Sequence, residues 1–167
     1  MKASKNSSKE NSDIIDVLND LIRINRDRIV GYEKASENLE EGDAILRTLF
    51  NQLSEESEKL KEELSGQVVV LGGEPAEDTT TSGKIYRAWM EVKDTFASDD
   101  AKSALEACEY GEDAAQKAYA EALEDSTNFP KNIREMIKDQ KGLLKISHDL
   151  VRNKRDDYEA ATQRAHY

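Results

Sequence analysis

The sequence has little of what bends, cross-links or anchors a chain. Its 167 residues include one cysteine, two prolines and eight glycines, so no disulfide can form within it and few positions stop a helix. No segment approaches the roughly 20 consecutive apolar residues that a membrane-spanning helix needs. The first residues lead into no apolar signal segment. We therefore expect a cytoplasmic protein that is not inserted in a membrane.

Basic residues are in the minority. Lys and Arg number 24 against 35 Asp and Glu, which gives a formal net charge of -11 at pH 7. Since excess positive charge is what draws proteins to nucleic acid and to anionic lipid, neither is an expected partner. The acidity of the chain keeps a helical surface soluble, or it attracts cations or basic partners.

The apolar residues that are present recur every three to four positions, which predicts amphipathic helices. We interpret residues 1–11 as a disordered tail and residues 12–167 as a single domain. Asp43 is suited to cap a helix after a tight turn at Gly42, and the Gly72-Gly73-Glu74-Pro75 segment is suited to stop one. Four long helices are predicted, over residues 12–40, 43–71, 98–125 and 130–164.

About thirty residues separate the second and third helices, too many for a hairpin turn and enough to recross the bundle. Within this segment, apolar residues around Trp89, from Ile85 to Phe96, mark a short amphipathic helix. We therefore predict an all-α fold, a ferritin-like antiparallel four-helix bundle with a long crossover that contains a short helix between helices 2 and 3. In this topology helices 2 and 3 are parallel; an up-down-up-down bundle is the alternative.

Several short motifs carry a family resemblance: Leu18-Asn19-Asp20-Leu21-Ile22, Arg87-Ala88-Trp89, Cys108-Glu109-Tyr110-Gly111-Glu112-Asp113 and His148-Asp149. Over about residues 13–155 the chain resembles a family of uncharacterised bacterial four-helix-bundle proteins, a domain of unknown function among the ferritin-like folds. Tyr86 stands where the resemblance leads us to expect histidine. What the resemblance implies is the fold, and it brings no established activity with it.

Ferritin-like bundles that handle iron or manganese use Glu residues and Glu-x-x-His pairs, because two hard cations need bridging carboxylates and imidazoles. This chain has two histidines, His148 and His166, and the residues three positions before them are Lys145 and Gln163. The di-metal motif is therefore absent. Cys108 lies in mid-helix on an apolar stripe, which is typical of a packing residue, so we expect no catalytic residue.

Polar residues nevertheless interrupt the apolar stripes at one height. A rise of 1.5 Å per residue, counted from the end where helices 1 and 2 meet, brings four candidate ligands to the same level: Asp27, Glu56, Glu112 and His148. Together they have the chemistry to hold a single iron or another divalent metal.

A second interpretation of this level involves no metal. Arg26 or Arg28 would pair with Glu112 and Glu56 in a buried polar layer that fixes the register of the helices. Lys145, one turn from the histidine of helix 4, adds positive charge that opposes a cation and favours this interpretation. Under this second interpretation, the chain binds no cofactor.

Two functions follow from these alternatives. The leading prediction is a non-catalytic bundle rather than an enzyme, acting through an unknown protein partner, as a homodimer, or in a stress-related role. The rival prediction is a metal-binding ferritin-like protein with iron redox or storage activity. A small apolar ligand held between the helices is a third possibility for which the sequence has no dedicated signal.

Overall fold

The structure is a computed structural model that describes residues 2–37, 39, 43–79 and 101–165. Four helices lie in these ranges, and no strand does: α1 (Lys2–Glu37), α2 (Ala44–Val70), α3 (Ala101–Asp125) and α4 (Lys131–Ala165). The predicted turn at Gly42 and the predicted short helix around Trp89 lie outside the described residues. None of the helices in the described ranges combines the length and apolar character of a membrane span.

The starts of the helices differ in two details from the sequence prediction. α1 begins at Lys2 and not near residue 12, where a tail was expected to end. Residues 2–11 contain neither proline nor glycine, so nothing in them stops the helix from continuing toward the amino terminus. Asp43 precedes α2 as predicted, but its side chain forms no cap. Its carboxylate instead accepts a hydrogen bond from the Tyr158 hydroxyl of α4 at 3.3 Å.

α2 ends where its glycines predict. The Gly73 N–H donates to the Val68 carbonyl and the Gly72 N–H to the Val69 carbonyl, each at 2.9 Å. This pair of hydrogen bonds ends a helix when the residue after its C-cap has a left-handed backbone. Gly72 follows the C-cap Leu71 and has a φ of 83°. The three valines at 68–70 therefore continue α2, as predicted, and form no strand.

Side-chain contacts give the directions of the helices. α1 pairs with α2 along most of their length, and α3 pairs with α4. Across these pairs, Arg28 of α1 binds Glu112 of α3, whereas the earlier Asn25 binds the later Tyr119. Residue numbers therefore rise along α1 as they fall along α3, so these helices are antiparallel.

α2 and α3 are both antiparallel to α1 and are thus parallel to each other. Such a pair needs a connection that returns along the whole bundle, so the ferritin-like connectivity is confirmed and the up-down-up-down alternative is wrong. The first part of this connection runs back along α1. There the Asn19 side chain binds the Glu74 carbonyl at 3.1 Å and the Ala76 N–H at 2.8 Å.

The core consists of two apolar clusters with a polar level between them. One cluster includes Leu18, Leu64, Tyr119 and Ile137; the other includes Tyr32, Phe50, Leu105 and Val151. Each helix passes from one cluster to the other through buried polar residues: Asn25 and Arg28 on α1, Ser54 and Ser57 on α2, Glu112 on α3, and Gln140 and Ser147 on α4. The polar level is therefore a layer across the middle of the bundle.

Alanine in place of Gly66, within α2, and in place of Gly72, just after it, should change the free energy of unfolding in opposite directions. Gly72→Ala places a side chain at a positive φ, so we expect the free energy of unfolding to fall by about 1 kcal/mol or more. Gly66 lies within the helix with no atom near an added Cβ, so Gly66→Ala should raise it by about 0.5–1 kcal/mol. Urea unfolding of both variants measures the difference, and shifts of the same sign would contradict this account of the end of α2.

Candidate functional site

The polar layer is centred on Arg28, whose side chain is fully buried. Its Nε and Nη2 atoms both donate to Oε1 of Glu112, at 3.0 and 2.8 Å, and the Tyr32 hydroxyl donates to the same oxygen at 2.6 Å. Glu112 is fully buried as well. Because a charge removed from water is stable only when it is paired and hydrogen-bonded, the two ions hold each other in the core.

α2 and α4 complete the layer. Nη1 of Arg28 donates to the Ser57 hydroxyl at 2.7 Å, and Nη2 lies 3.6 Å from Oε1 of Glu56. That carboxylate oxygen also accepts a hydrogen bond from the Ser147 hydroxyl at 2.7 Å. The guanidinium of α1 thus contacts two other helices, α2 and α3, directly and the fourth helix, α4, through one carboxylate.

A second network lies next to the ion pair, toward the amino-terminal half of α1. The Asn25 amide donates to the Tyr119 hydroxyl at 2.8 Å, and this hydroxyl donates to Oε1 of Gln140 at 2.7 Å. The Gln140 amide in turn donates to the Leu60 carbonyl at 3.2 Å. The chain of hydrogen bonds joins all four helices, as the ion pair does.

Helical periodicity explains why these residues face inward together. Asn25, Arg28 and Tyr32 are separated by three and four residues and therefore share one face of α1. On α3, Glu112 and Tyr119 are seven residues apart, which is two turns of one face. Each polar residue consequently occupies a place in an otherwise apolar stripe.

Burial and the Glu112 carboxylate control the ionisation of the layer. Burial acts to lower the pKa of Arg28, but Glu112, Tyr32 and Glu56 together outweigh it and the pKa is raised. Burial raises the pKa of Tyr32 well above its ordinary value, with Glu112 as the next cause, and burial also raises the pKa of the Cys108 thiol. The arginine is therefore charged, while the tyrosine and the cysteine are neutral and the thiol is a poor nucleophile.

The predicted height of the layer is confirmed, and so is its pairing through Arg28. Glu56 and Glu112, two of the four candidate ligands, meet at this guanidinium. Arg26, the other arginine considered for the role, lies elsewhere and donates to the Ala76 carbonyl at 3.0 Å. Its bond fastens the crossover to α1.

The structure does not bring the other two candidates together with the two carboxylates into one cluster. Nε2 of His148 lies 2.6 Å from Oδ1 of Asp113, and its Nδ1 lies 3.1 Å from Oδ1 of Asp149. Counting residues fixes height, but each residue also turns a helix by about 100°, and at this height Ser147 is the residue that points inward. Asp27 is buried on α1, and the described residues contain no group of three or more His, Cys, Asp or Glu placed to hold a metal ion.

The hydrogen bonds of two tyrosines were not predicted from the sequence. Tyr32 follows Arg28 by four positions, and Tyr119 follows Glu112 by seven, so each shares a face with a charged residue. This spacing is the signal that could have identified them, because a hydroxyl on such a face points toward the buried polar groups of the bundle. On α4, Gln140 and the buried Ser147 are likewise seven residues apart and share one face.

Two buried acceptors in this region have no hydrogen-bond donor among the described residues. They are Oε2 of Glu112 and Oδ1 of Asn25. The carboxylate of Glu112 is therefore used on one side only: Oε1 accepts three hydrogen bonds while Oε2 accepts none. Chemically, the layer offers two carboxylates whose charge is opposed by a guanidinium, together with neutral hydroxyl and amide groups.

Removing Arg28 should be among the most destabilising changes in the chain. Arg28→Met leaves the Glu112 carboxylate buried without a counter-charge, and we expect the free energy of unfolding to fall by about 3–5 kcal/mol. Adding Glu112→Gln should restore a large part of this loss, because no unpaired charge then remains. Urea unfolding followed by circular dichroism measures both.

Arg23→Met is the matched control, since Arg23 pairs with two exposed aspartates at the surface. Its effect should stay within about 1 kcal/mol. Equal losses for the two arginines would contradict a buried ion pair as the centre of the layer.

The buried tyrosines should make the fold sensitive to alkaline pH. Burial raises the pKa of Tyr32 and of Tyr119 above the ordinary tyrosine value of 10.0, so both stay protonated in the folded chain while the unfolded chain loses these protons. Their stabilising contribution is complete below about pH 10 and is lost as pH rises toward the folded values, at up to about 1.4 kcal/mol per pH unit for each.

Urea unfolding from about pH 9 to about pH 11 measures this slope. The Tyr32→Phe, Tyr119→Phe double variant should show a shallower decline. Tyr110→Phe, which removes an exposed tyrosine, is the control and should leave the slope unchanged. A slope that is the same in all three proteins would show that other groups cause the alkaline loss.

Comparison with known proteins agrees with this architecture. Residues 13–125 match the model of a family described as a domain of unknown function, DUF2383. No match is found among curated protein sequences. The crystal structure titled as that of ferritin like, diiron-carboxylate proteins from Bacillus anthracis str. Ames is similar, with a TM-score of 0.65 and 16% identity over 91% of this chain and 96% of that chain.

At this level of identity, the structural likeness shows the fold alone: the four helices form a ferritin-like bundle. The family match extends over more than half of the chain, from α1 to the end of α3. The chain therefore belongs to the DUF2383 family of domains of unknown function.

Proposed function

We propose that this ferritin-like domain is non-catalytic and acts through contacts with protein, including any role it has in stress physiology. The observation that carries the proposal is the position of Arg28, which is fully buried between the carboxylates of Glu112 and Glu56. A guanidinium at this point opposes the charge of both carboxylates and donates two hydrogen bonds to Glu112. The layer then stabilises the bundle, and its carboxylates are engaged by an arginine.

A location in the cytoplasm belongs to the same proposal. The single cysteine, Cys108 of α3, is a free thiol that is buried in the core of the bundle. A chain that uses no disulfide and buries its thiol is suited to a reducing compartment.

The second candidate function is metal binding, with iron redox or storage activity. Its support is the unused Oε2 atom of Glu112, which is buried at the height of Glu56, together with the description of the similar structure as a diiron-carboxylate protein. A centre of that kind fits these residues poorly. The cationic Nη2 of Arg28 lies 2.8 Å from the Glu112 carboxylate, where it would repel a metal ion, and His148 binds Asp113 instead.

Metal content separates the two functions. The protein purified without chelators should contain less than about one tenth of an iron, manganese or zinc ion per chain, because the cationic Arg28 already lies beside both carboxylates. The melting temperature of the wild type should not change when Fe²⁺, Mn²⁺ or Zn²⁺ is added, since a ligand that binds only the folded chain would raise it.

The matched variant for this experiment is Arg28→Ala. It frees Glu112 and Glu56, so divalent cations should raise its melting temperature although they do not affect the wild type. Binding in the variant would show that arginine and metal compete for the same carboxylates. One metal ion per wild-type chain, accompanied by a higher melting temperature, would replace our proposal with the metal-binding function.

A further inference from the structure

A strip of apolar side chains lies exposed between α2 and α4. Leu143, Ile146 and Leu150 of α4 are 44%, 59% and 46% exposed, and Ile45 at the start of α2 is 74% exposed. A groove of about 490 Å³ adjoins the strip at Ile45 and Leu150; it is lined by Ile45, Thr48, Leu49, Gln52, Leu150, Asn153, Lys154 and Asp157. We name these residues, with Leu143 and Ile146, the α2–α4 face.

The apolar side chains of this strip are exposed and are not packed in the core of the bundle. Contiguous apolar surface on a soluble protein marks a site of interaction, whereas isolated apolar residues do not. The described start of the crossover does not cover it, since Glu74 and Ala76 contact Asn19 of α1, the helix diagonally opposite α4. The α2–α4 face is therefore open in the part of the chain that the structure describes.

Charge indicates what kind of partner the face accepts. One lysine and one aspartate line its groove, so the charge there is balanced, although the chain as a whole carries -11. The larger groove beside the α3–α4 turn is lined by Glu10, Asp13, Asp16 and Asp125 with no basic residue. Since like charges repel, a second acidic copy of this chain can approach the α2–α4 face far more easily than the acidic groove.

We propose that the α2–α4 face binds a second copy of this chain and forms a homodimer. The proposal rests on the proposed function and deepens it by naming the partner and the surface. Lys154 and Asp157 lie three residues apart on α4, and neither has an ion-pair partner among the described residues. A symmetric interface supplies both partners, because each copy presents the same two charges to the other.

A two-fold axis parallel to α4 makes the two α4 helices parallel and places equivalent residues of the two copies at the same height. Lys154 and the second copy's Asp157 are then offset by three residues, about 4.5 Å along the helix. The flexible four-carbon stem of lysine is suited to that offset. The apolar strip of each copy then covers that of the other, and two ion pairs form at the rim.

Sedimentation equilibrium with the full chain tests the interface. The wild type should be a dimer, and Leu150→Glu should raise its dissociation constant at least about tenfold, because it buries charge in the apolar strip. Val70→Glu is the matched control: Val70 is an apolar residue, 78% exposed, at the end of α2 and outside the face. This variant should remain as dimeric as the wild type.

A charge exchange distinguishes a second copy from any other partner. Lys154→Asp alone and Asp157→Lys alone should each weaken the dimer, whereas the double variant restores it because the pairs reform with opposite polarity. Only contact between two copies predicts this restoration, since a different protein would keep its own charges. Both residues lie at the rim, so the variants keep the core intact, and circular dichroism checks that their helices form.

A wild-type chain that sediments as a monomer would overturn the proposal. It would also be overturned if Leu150→Glu lowered the melting temperature without altering the mass, because another segment of the same chain, such as the residues around Trp89, would then cover the strip. Neither result changes the metal content per chain that the proposed function predicts. A monomer without metal refutes the dimer alone, whereas a dimer with one metal ion per chain refutes the non-catalytic function alone.

Discussion

The ion pair between Arg28 and Glu112 is the constraint on which the rest of the bundle depends. Both side chains are fully buried, so neither can exchange its partner for water. Sliding one helix by a turn would leave an arginine or a glutamate alone in the apolar core, at a cost of several kcal/mol. Apolar stripes alone tolerate such a slip more easily, because leucine packs against leucine at many heights. The polar layer therefore selects one register of the four helices and explains why each apolar cluster ends at the same level on every helix.

The same constraint determines which groups of the layer are chemically available. The guanidinium donates to Oε1 of Glu112 and to the Ser57 hydroxyl, and it lies beside Glu56. The negative charge of a carboxylate held in this way is compensated at short range. Tyr32 is fixed by the same oxygen and is kept neutral by burial. A ferritin-like bundle thus gains stability and register from charged residues in its middle.

Much of the fold could be predicted from the sequence, because apolar spacing, glycines and prolines act locally. The end of α2 at Gly72 and the parallel arrangement of α2 and α3 both follow from such features. The candidate site could be predicted only in height. A rise per residue places Glu56, Glu112 and residue 148 at one level, but the rotation of α4 decides whether Ser147 or His148 points inward, and that rotation is set by packing against α2 and α3. The roles of the tyrosine hydroxyls depend on contacts between helices and have no local signal beyond spacing.

Interior and surface are linked in this molecule by the distribution of charge. Since the buried charge of Glu112 is paired with Arg28, the excess negative charge lies on the outside, where it opposes association over most of the surface. The α2–α4 face differs from that surface in two independent respects: its groove carries balanced charge, and its apolar side chains lie at helical spacing on adjacent helices. The fixed register of the bundle keeps Ile45 of α2 and Leu150 of α4 on one continuous strip. A buried ion pair that prevents sliding therefore also preserves the shape of the α2–α4 face.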